Sequence, residues 1–207
     1  MLNMEKIDLK KELKAFYNPT AKEVTLIDVP KMNFIMIEGQ GAPESPQFAQ
    51  SIQALYPIAY TIKFDKKKAG GTDYGVMPME GLFWADDMAV FMPETADRNK
   101  WQWTLMIMQP DFITRKDFEN AVAAAGKKKD NPLIDKVRFE SYTEGESTQI
   151  MHIGPYSAEG PNIQKLHQKI AGIGGKLTGR HHEIYLSDPR RAAPDKMKTV
   201  VRQPYSL

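Results

Sequence analysis

Gln149-Ile150-Met151-His152-Ile153-Gly154-Pro155-Tyr156-Ser157-Ala158-Glu159-Gly160-Pro161-Asn162-Ile163 lines up without a gap on Phe34-Ile35-Met36-Ile37-Glu38-Gly39-Gln40-Gly41-Ala42-Pro43-Glu44-Ser45-Pro46-Gln47-Phe48. Ile35/Ile150, Met36/Met151, Gly39/Gly154, Glu44/Glu159 and Pro46/Pro161 coincide. In both stretches a glycine closes an apolar strand pattern, and seven residues later a proline opens a helix. Proline suits the first helical position because its missing N–H would have no partner there. The chain therefore reads as a duplicated strand–helix–strand–strand unit.

Working outward, the first half carries strand patterns at 23–29 and 33–39, separated by Pro30. A helix follows from Ser45 with Phe48, Ile52, Leu55 and Ala59 on one face, then a Lys/Gly/Asp-rich loop over 65–73. Strand-like segments at 74–84 and 101–109 flank a turn region at Pro93–Arg98, and Thr114 caps a helix over 115–126. The second half repeats the order with strands at 137–143 and 147–153, a helix at 161–173, and strands at 181–187 and 197–203. Ahead of both, residues 1–19 read as an amphipathic helical arm ended by Asn18-Pro19. The expected fold is α+β: an arm (1–19), then module one (about 20–130) and module two (about 131–207), each an antiparallel sheet with helices on one side. Two such modules related by a pseudo-twofold axis leave a groove, flanked by strands 74–84 and 181–187.

Composition excludes several classes of function. A net charge of +2 is too small for a nucleic-acid face. No apolar run is long enough to span a membrane, and the first residues lack the apolar core of a signal peptide, so a cytoplasmic protein is expected. There is no cysteine, hence no disulfide and no thiolate chemistry. The Gly172–Gly175 run follows a helix instead of opening one, so it fails as a phosphate loop. His181, His182 and Glu183 alternate on a strand and cannot all ligate one ion; no metal or cofactor is expected. The 12 methionines, 3 tryptophans, 8 tyrosines and 9 phenylalanines instead suit a stacking site for a flat apolar ligand.

The chemistry centres on His181-His182-Glu183-Ile184-Tyr185-Leu186-Ser187-Asp188-Pro189-Arg190-Arg191. Alternation puts His182, Ile184 and Leu186 on one face and His181, Glu183 and Tyr185 on the other. A glutamate among apolar strand residues is costly unless it has a partner or a task. Glu183 is either satisfied by a basic group or a tyrosine hydroxyl, or it is a carboxylate in an aromatic groove whose pKa rises by desolvation. Trp84, Trp103 and Tyr74, with Met79 nearby, are either core or groove wall. His152 and Tyr156, around Gly154-Pro155, are either a satisfied inward pair or part of the site.

His152-Ile153-Gly154-Pro155-Tyr156, Glu183-Ile184-Tyr185-Leu186-Ser187-Asp188-Pro189 and the closing Met197–Pro204 strand resemble the GyrI-like small-molecule-binding family, which also supplies effector domains of multidrug regulators. The resemblance covers residues 5–205 and implies paired SHS2 modules with a ligand groove between them. It implies that Glu183 is the glutamate that meets ligands against aromatic walls. Some stand-alone members hydrolyse cyclopropanoid DNA-alkylating toxins, a reaction carried by a glutamate and aromatic residues. That implies Glu183 and Tyr74 as catalytic residues, with Trp84, Trp103, Met79, His152, Tyr156 and Tyr185 binding a hydrophobic aromatic small molecule. No direct contact with nucleic acid is implied. The alternative is a non-catalytic multidrug binder or sensor, or a modulator of DNA gyrase.

Overall fold

The computed structural model describes residues 6–70, 72–87, 97–128 and 130–207. The chain opens with β1 (Lys6–Ile7), α1 (Leu9–Glu12) and α2 (Lys14–Tyr17). It continues with β2 (Thr25–Val29), β3 (Met32–Gln40), α3 (Pro46–Lys68), β4 (Asp73–Tyr74), β5 (Met79–Trp84), β6 (Gln102–Gln109) and α4 (Arg115–Lys128). Then come β7 (Arg138–Tyr142), β8 (Gly145–Ile153), α5 (Gly160–Gly172), β9 (Lys176–Leu177), β10 (His181–Tyr185) and β11 (Lys198–Ser206). This is an α+β fold built on antiparallel strands, as expected. Among the described residues no helix is long and apolar enough to cross a membrane.

Local chemistry accounts for the helix starts. The Ser45 hydroxyl accepts from Phe48 N at 3.3 Å and Pro46 opens α3. At α4, Thr114 N donates to Asp117 Oδ2 at 2.8 Å and Asp117 N donates to Thr114 Oγ1 at 3.3 Å, a reciprocal cap. Three details differ from the sequence reading. The arm is two short helices after a strand pair in which β1 runs parallel to β4. Helix α3 runs on through the lysines expected in a loop, because Lys66 pairs with Asp117 at 2.8 Å and Lys67 with Asp73 at 2.7 Å at a helix end that favours cations. The 74–84 strand is broken between Tyr74 and Met79, where Gly75 and Pro78 interrupt it. Residues 93–96 of the expected Pro93–Arg98 turn lie outside the described residues.

The chain forms two compact units. Unit 1 takes Met32–Met77 and Phe83–Tyr142 with the described residues up to Leu9; unit 2 takes Lys10–Lys31, Pro78–Leu82 and Thr143–Leu207. In unit 1, β3 lies between β6 and β7, and α3 packs on β3 and β6. In unit 2 the order is β2-β8-β11-β10, with α5 on β8 and β11. The first strand of each half has therefore been traded: Thr25–Val29 pairs with β8, and Arg138–Tyr142 pairs with β3. The expected modules follow chain order, whereas the compact units exchange these two strands.

Unit 1 is closed by Trp103, which is fully buried. Its ring lies edge-on to Phe48 at 5.1 Å, its Nε1 donates to Gly41 O at 3.1 Å, and it covers its cross-strand partner Gly39. A Cβ on Gly39 would come within 2.1 Å of the indole. Gly39→Ala is therefore expected to destabilise unit 1 by about 1–3 kcal/mol, the usual cost of overpacking, visible as a lowered melting temperature. An unchanged melting temperature would show that the indole can move aside.

Candidate functional site

Strand β10 separates two polar clusters, one on each face of the unit 2 sheet. Glu183 is paired with Val201, and Val201 with Ile150. Ile150 and Val201 pack on Leu166 of α5, so Glu183 lies on the helix side of the sheet. Tyr185, its register partner Thr199, and Thr199's partner His152 share that face. His182, Ile184 and Arg202 take the opposite face. The alternation read from the sequence holds.

On the helix side, Tyr185 Oη donates to Glu183 Oε2 at 2.8 Å, and His181 Nε2 lies 3.5 Å from Glu183 Oε1. The Glu183 side chain retains 17% exposure, so it is neither sealed in nor solvated. Glu159, at the cap of α5, makes a side-chain hydrogen bond to it and is itself only 3% exposed. Two carboxyls in contact cannot both be charged cheaply. Burial first, and then the Glu183 charge, push Glu159 up to about 9. Burial opposes ionisation of Glu183 too, but bonds from His181, Tyr185 and Glu159 outweigh it and hold it below the usual range. Of the two sequence readings of Glu183, the tyrosine-hydroxyl partner is the one present; the raised pKa falls on the neighbour, because bonds from His181 and Tyr185 favour charge on Glu183. Burial and the adjacent Glu183 charge keep the Tyr185 phenol protonated.

Tyr156 stands edge-on to Tyr185 at 5.4 Å and is 39% exposed, which brings an aromatic ring to the surface near the carboxyl pair. His152 is buried and braced. Asn162 Nδ2 lies 3.1 Å from its Nδ1 and Pro155 O lies 3.1 Å from its Nε2. Lys165 holds the Asn162 oxygen at 3.2 Å, which orients the amide as donor. His152 thereby ties the Pro155 turn to α5 through its two ring nitrogens. Gly154, between them, has φ of 141°, a conformation that side chains rarely adopt.

The surroundings of the remaining expected site residues are as follows. Met79 is buried in the unit 2 portion of β5. Tyr74 belongs to unit 1, buried edge-on to Phe112 at 5.5 Å, with its hydroxyl unpartnered and its pKa raised by burial and then Asp117. Trp84 is half-buried in unit 1, its Nε1 donating to Gln102 Oε1 at 3.1 Å. Trp103 serves the unit 1 core as described above.

The opposite face holds a charged cluster that the sequence reading missed. His182 Nδ1 lies 2.9 Å from Glu144 Oε1 and its Nε2 lies 3.0 Å from Glu80 Oε2. Arg202 Nη1 donates to Glu144 Oε2 at 2.8 Å, and Tyr17 Oη donates to Glu80 Oε1 at 2.7 Å. Arg202 also reaches Gln149 Oε1 at 3.0 Å and Phe16 O at 2.8 Å. Burial alone would discharge His182, but Glu144 and Glu80 raise its pKa to about 9. Burial likewise opposes charge on Glu144, yet His182 and Arg202 lower it to about 2. Every member already has a partner, so this cluster is structural. A signal existed for Glu80: an acid inside Met79-Glu80-Gly81-Leu82-Phe83-Trp84 is as anomalous as Glu183. For Glu159 the signal was an acid just before a proline-opened helix.

Three comparisons place this geometry among known proteins. A sequence profile, the GyrI-like small molecule binding domain, matches residues 22–205. An uncharacterised conserved protein from Listeria innocua is similar at 42% identity and a TM-score of 0.89, over 97% of this chain and 100% of that one. A protein from the same organism, described as a hydrolase, is similar at 41% identity and a TM-score of 0.84, over 97% and 100% of the two chains. The EcmrR C-terminal domain, at 13% identity and a TM-score of 0.57 over 89% and 97%, shares the fold. No curated protein matches. The profile spans most of the chain and carries the motifs around His152 and Glu183: the protein belongs to the family of GyrI-like small-molecule-binding domains.

Proposed function

We propose that this protein binds planar hydrophobic molecules and hydrolyses cyclopropanoid DNA-alkylating toxins, with Glu183 as the general base. The observation that carries the reading is an ionised, partly exposed carboxylate oriented by Tyr185, whose ring packs on the surface-exposed Tyr156. Listeria proteins 41% identical over nearly the whole chain are described as hydrolases, which supports the enzymatic reading. The flat ligand stacks on tyrosine. Glu183 takes a proton from water as the water oxygen bonds to the strained carbon. The cyclopropane C–C bond breaks, and its electron pair moves into the conjugated carbonyl of the ligand, which is then protonated from solvent. The gain comes from positioning water against the ring and from the base.

The test is incubation of the purified protein with a cyclopropanoid alkylator, followed by mass spectrometry for the hydrate, 18 Da heavier by one water. A hydrate formed faster than in buffer supports the reading. Saturable binding without hydrate leaves a drug binder, and a supercoiling assay then asks whether DNA gyrase is the partner. Alanine variants of Tyr74, Trp84 and Met79 test whether these residues take part as the sequence led us to expect; unchanged ligand binding would remove them from the proposal. Trp103→Ala reports mainly on the unit 1 core.

A further inference from the structure

Glu159 has no place in the proposed reaction, yet its surroundings are those of a working group. It is buried to 3%, and its Oε1 has no hydrogen-bond partner. Thr199, fully buried beside it, offers its hydroxyl to the Glu159 carboxyl, which does not offset the effect of burial. Its position at the start of α5 does not explain it, since the side chain caps nothing there. The equivalent glutamate in the repeat, Glu44, is 67% exposed and pairs with Arg98 at 2.7 Å. The duplication therefore does not demand a buried acid at this position.

The groups that face Glu159 are Glu183 and Tyr185 from β10 and Thr199 from β11, with His181 on the far side of Glu183. Tyr156 lies in the turn before it, and His152 is joined through Asn162 to the same end of α5. His167, further along α5, faces His181 and has its pKa lowered by burial and then by His181. No lysine or arginine is among them. A lone buried carboxylate oxygen among hydroxyls and another carboxylate is satisfied if it carries a proton.

We infer that Glu159 is a protonated positioning residue, whose O–H donates to Glu183 and keeps that carboxylate ionised and aimed. The inference rests on reading Glu183 as the working carboxylate. Loss of the Glu159 proton sets two negative carboxylates against each other and removes the donor, so Glu183 loses its orientation. Activity then falls as pH rises through about 9, the value to which burial and Glu183 push Glu159.

Two variants test this. In Glu159→Gln the amide still donates to Glu183 but cannot ionise. It should keep near wild-type turnover of a cyclopropanoid alkylator at neutral pH and lose the alkaline limb of the kcat profile. In Glu159→Ala the donor is absent, and kcat should drop about ten- to hundredfold, the worth of a hydrogen bond to a charged group, with KM little changed. An alkaline limb that persists in Glu159→Gln, or full kcat in Glu159→Ala, overturns the inference. A readout independent of turnover separates this from failure of the hydrolase reading. Carboxyl 13C NMR of the full chain should show a glutamate titrating near 9 that vanishes in Glu159→Gln and moves down in Glu183→Gln. An ordinary titration for Glu159 sinks the idea, whether or not the alkylator is turned over.

Discussion

Arg202→Met is expected to cost unit 2 about 3–5 kcal/mol, the usual penalty for removing one partner of a buried ion pair. Arg202 is 2% exposed and satisfies Glu144, Gln149 and the Phe16 carbonyl together. Methionine fills much of the volume, so the loss is electrostatic. Glu144 is left buried with His182 as its only charged partner, and the Phe16 carbonyl loses its donor. The Gln149 amide also donates to Ala15 O at 2.8 Å, so the residues around α2 should loosen with the cluster. Urea unfolding would show a lower midpoint, and hydrogen exchange would rise first over residues 14–17. A loss under about 1 kcal/mol would mean that the cluster is not a stabilising element.

The same cluster fixes the sign of the pH dependence. The raised pKa of His182 gives stability that is complete below its ordinary 6.5 and is lost as pH rises through about 9. The lowered pKa of Glu144 gives stability that is complete above its ordinary 4.5 and is lost as pH falls through about 2. Glu159, raised to about 9, adds to the loss on the alkaline side. Because the Glu159 contribution is complete only below its ordinary 4.5 and is lost from there up to about 9, stability should peak near pH 4.5 and decline in both directions. In Glu144→Gln the acid-side decline should shrink, because the group that loses its charge there is gone. A profile identical to wild type below pH 4.5 would remove Glu144 from the account.

How much of this was legible in the sequence follows from range. Strand alternation and proline-opened helices are local signals, and the faces of β10, the caps of α3 and α4, and the element order came from them directly. Strand partners are not local. Nothing in Thr25-Leu26-Ile27-Asp28-Val29 says that it pairs with β8, 124 residues downstream at Thr25↔Gln149, in preference to β3, its neighbour in sequence. The exchange of first strands was therefore invisible. Burial is likewise collective. Glu44 and Glu159 coincide when the two stretches of sequence are aligned, yet one is on the surface and the other is buried against Glu183. Glu183 could be singled out because alternation exposed the anomaly, but the direction of its pKa shift depended on how far burial is outweighed by bonds from His181, then Tyr185 and Glu159, which pattern alone does not give.

Glu183→Gln is expected to lower kcat for a cyclopropanoid alkylator by about 10²–10⁴-fold, the usual worth of a general base, with ligand binding retained. The amide is close in shape, and its oxygen can still accept from Tyr185 Oη, which now stands 2.8 Å from the carboxylate. What it cannot do is take a proton from water. Removing the charge also relieves Glu159, whose pKa should fall from about 9. Because burial plus a negative neighbour is what destabilises an ionised Glu159, the variant should unfold no more easily than wild type. An inactive but equally stable protein separates a chemical role from a structural one. The wild-type acid limb should lie below the ordinary carboxylate range, since bonds from His181 and Tyr185 favour the ionised form of Glu183. Wild-type rates in Glu183→Gln would leave any hydrolysis to another base. A wild-type acid limb near neutral pH would instead mean that the group titrating in the reaction is His181 or another imidazole.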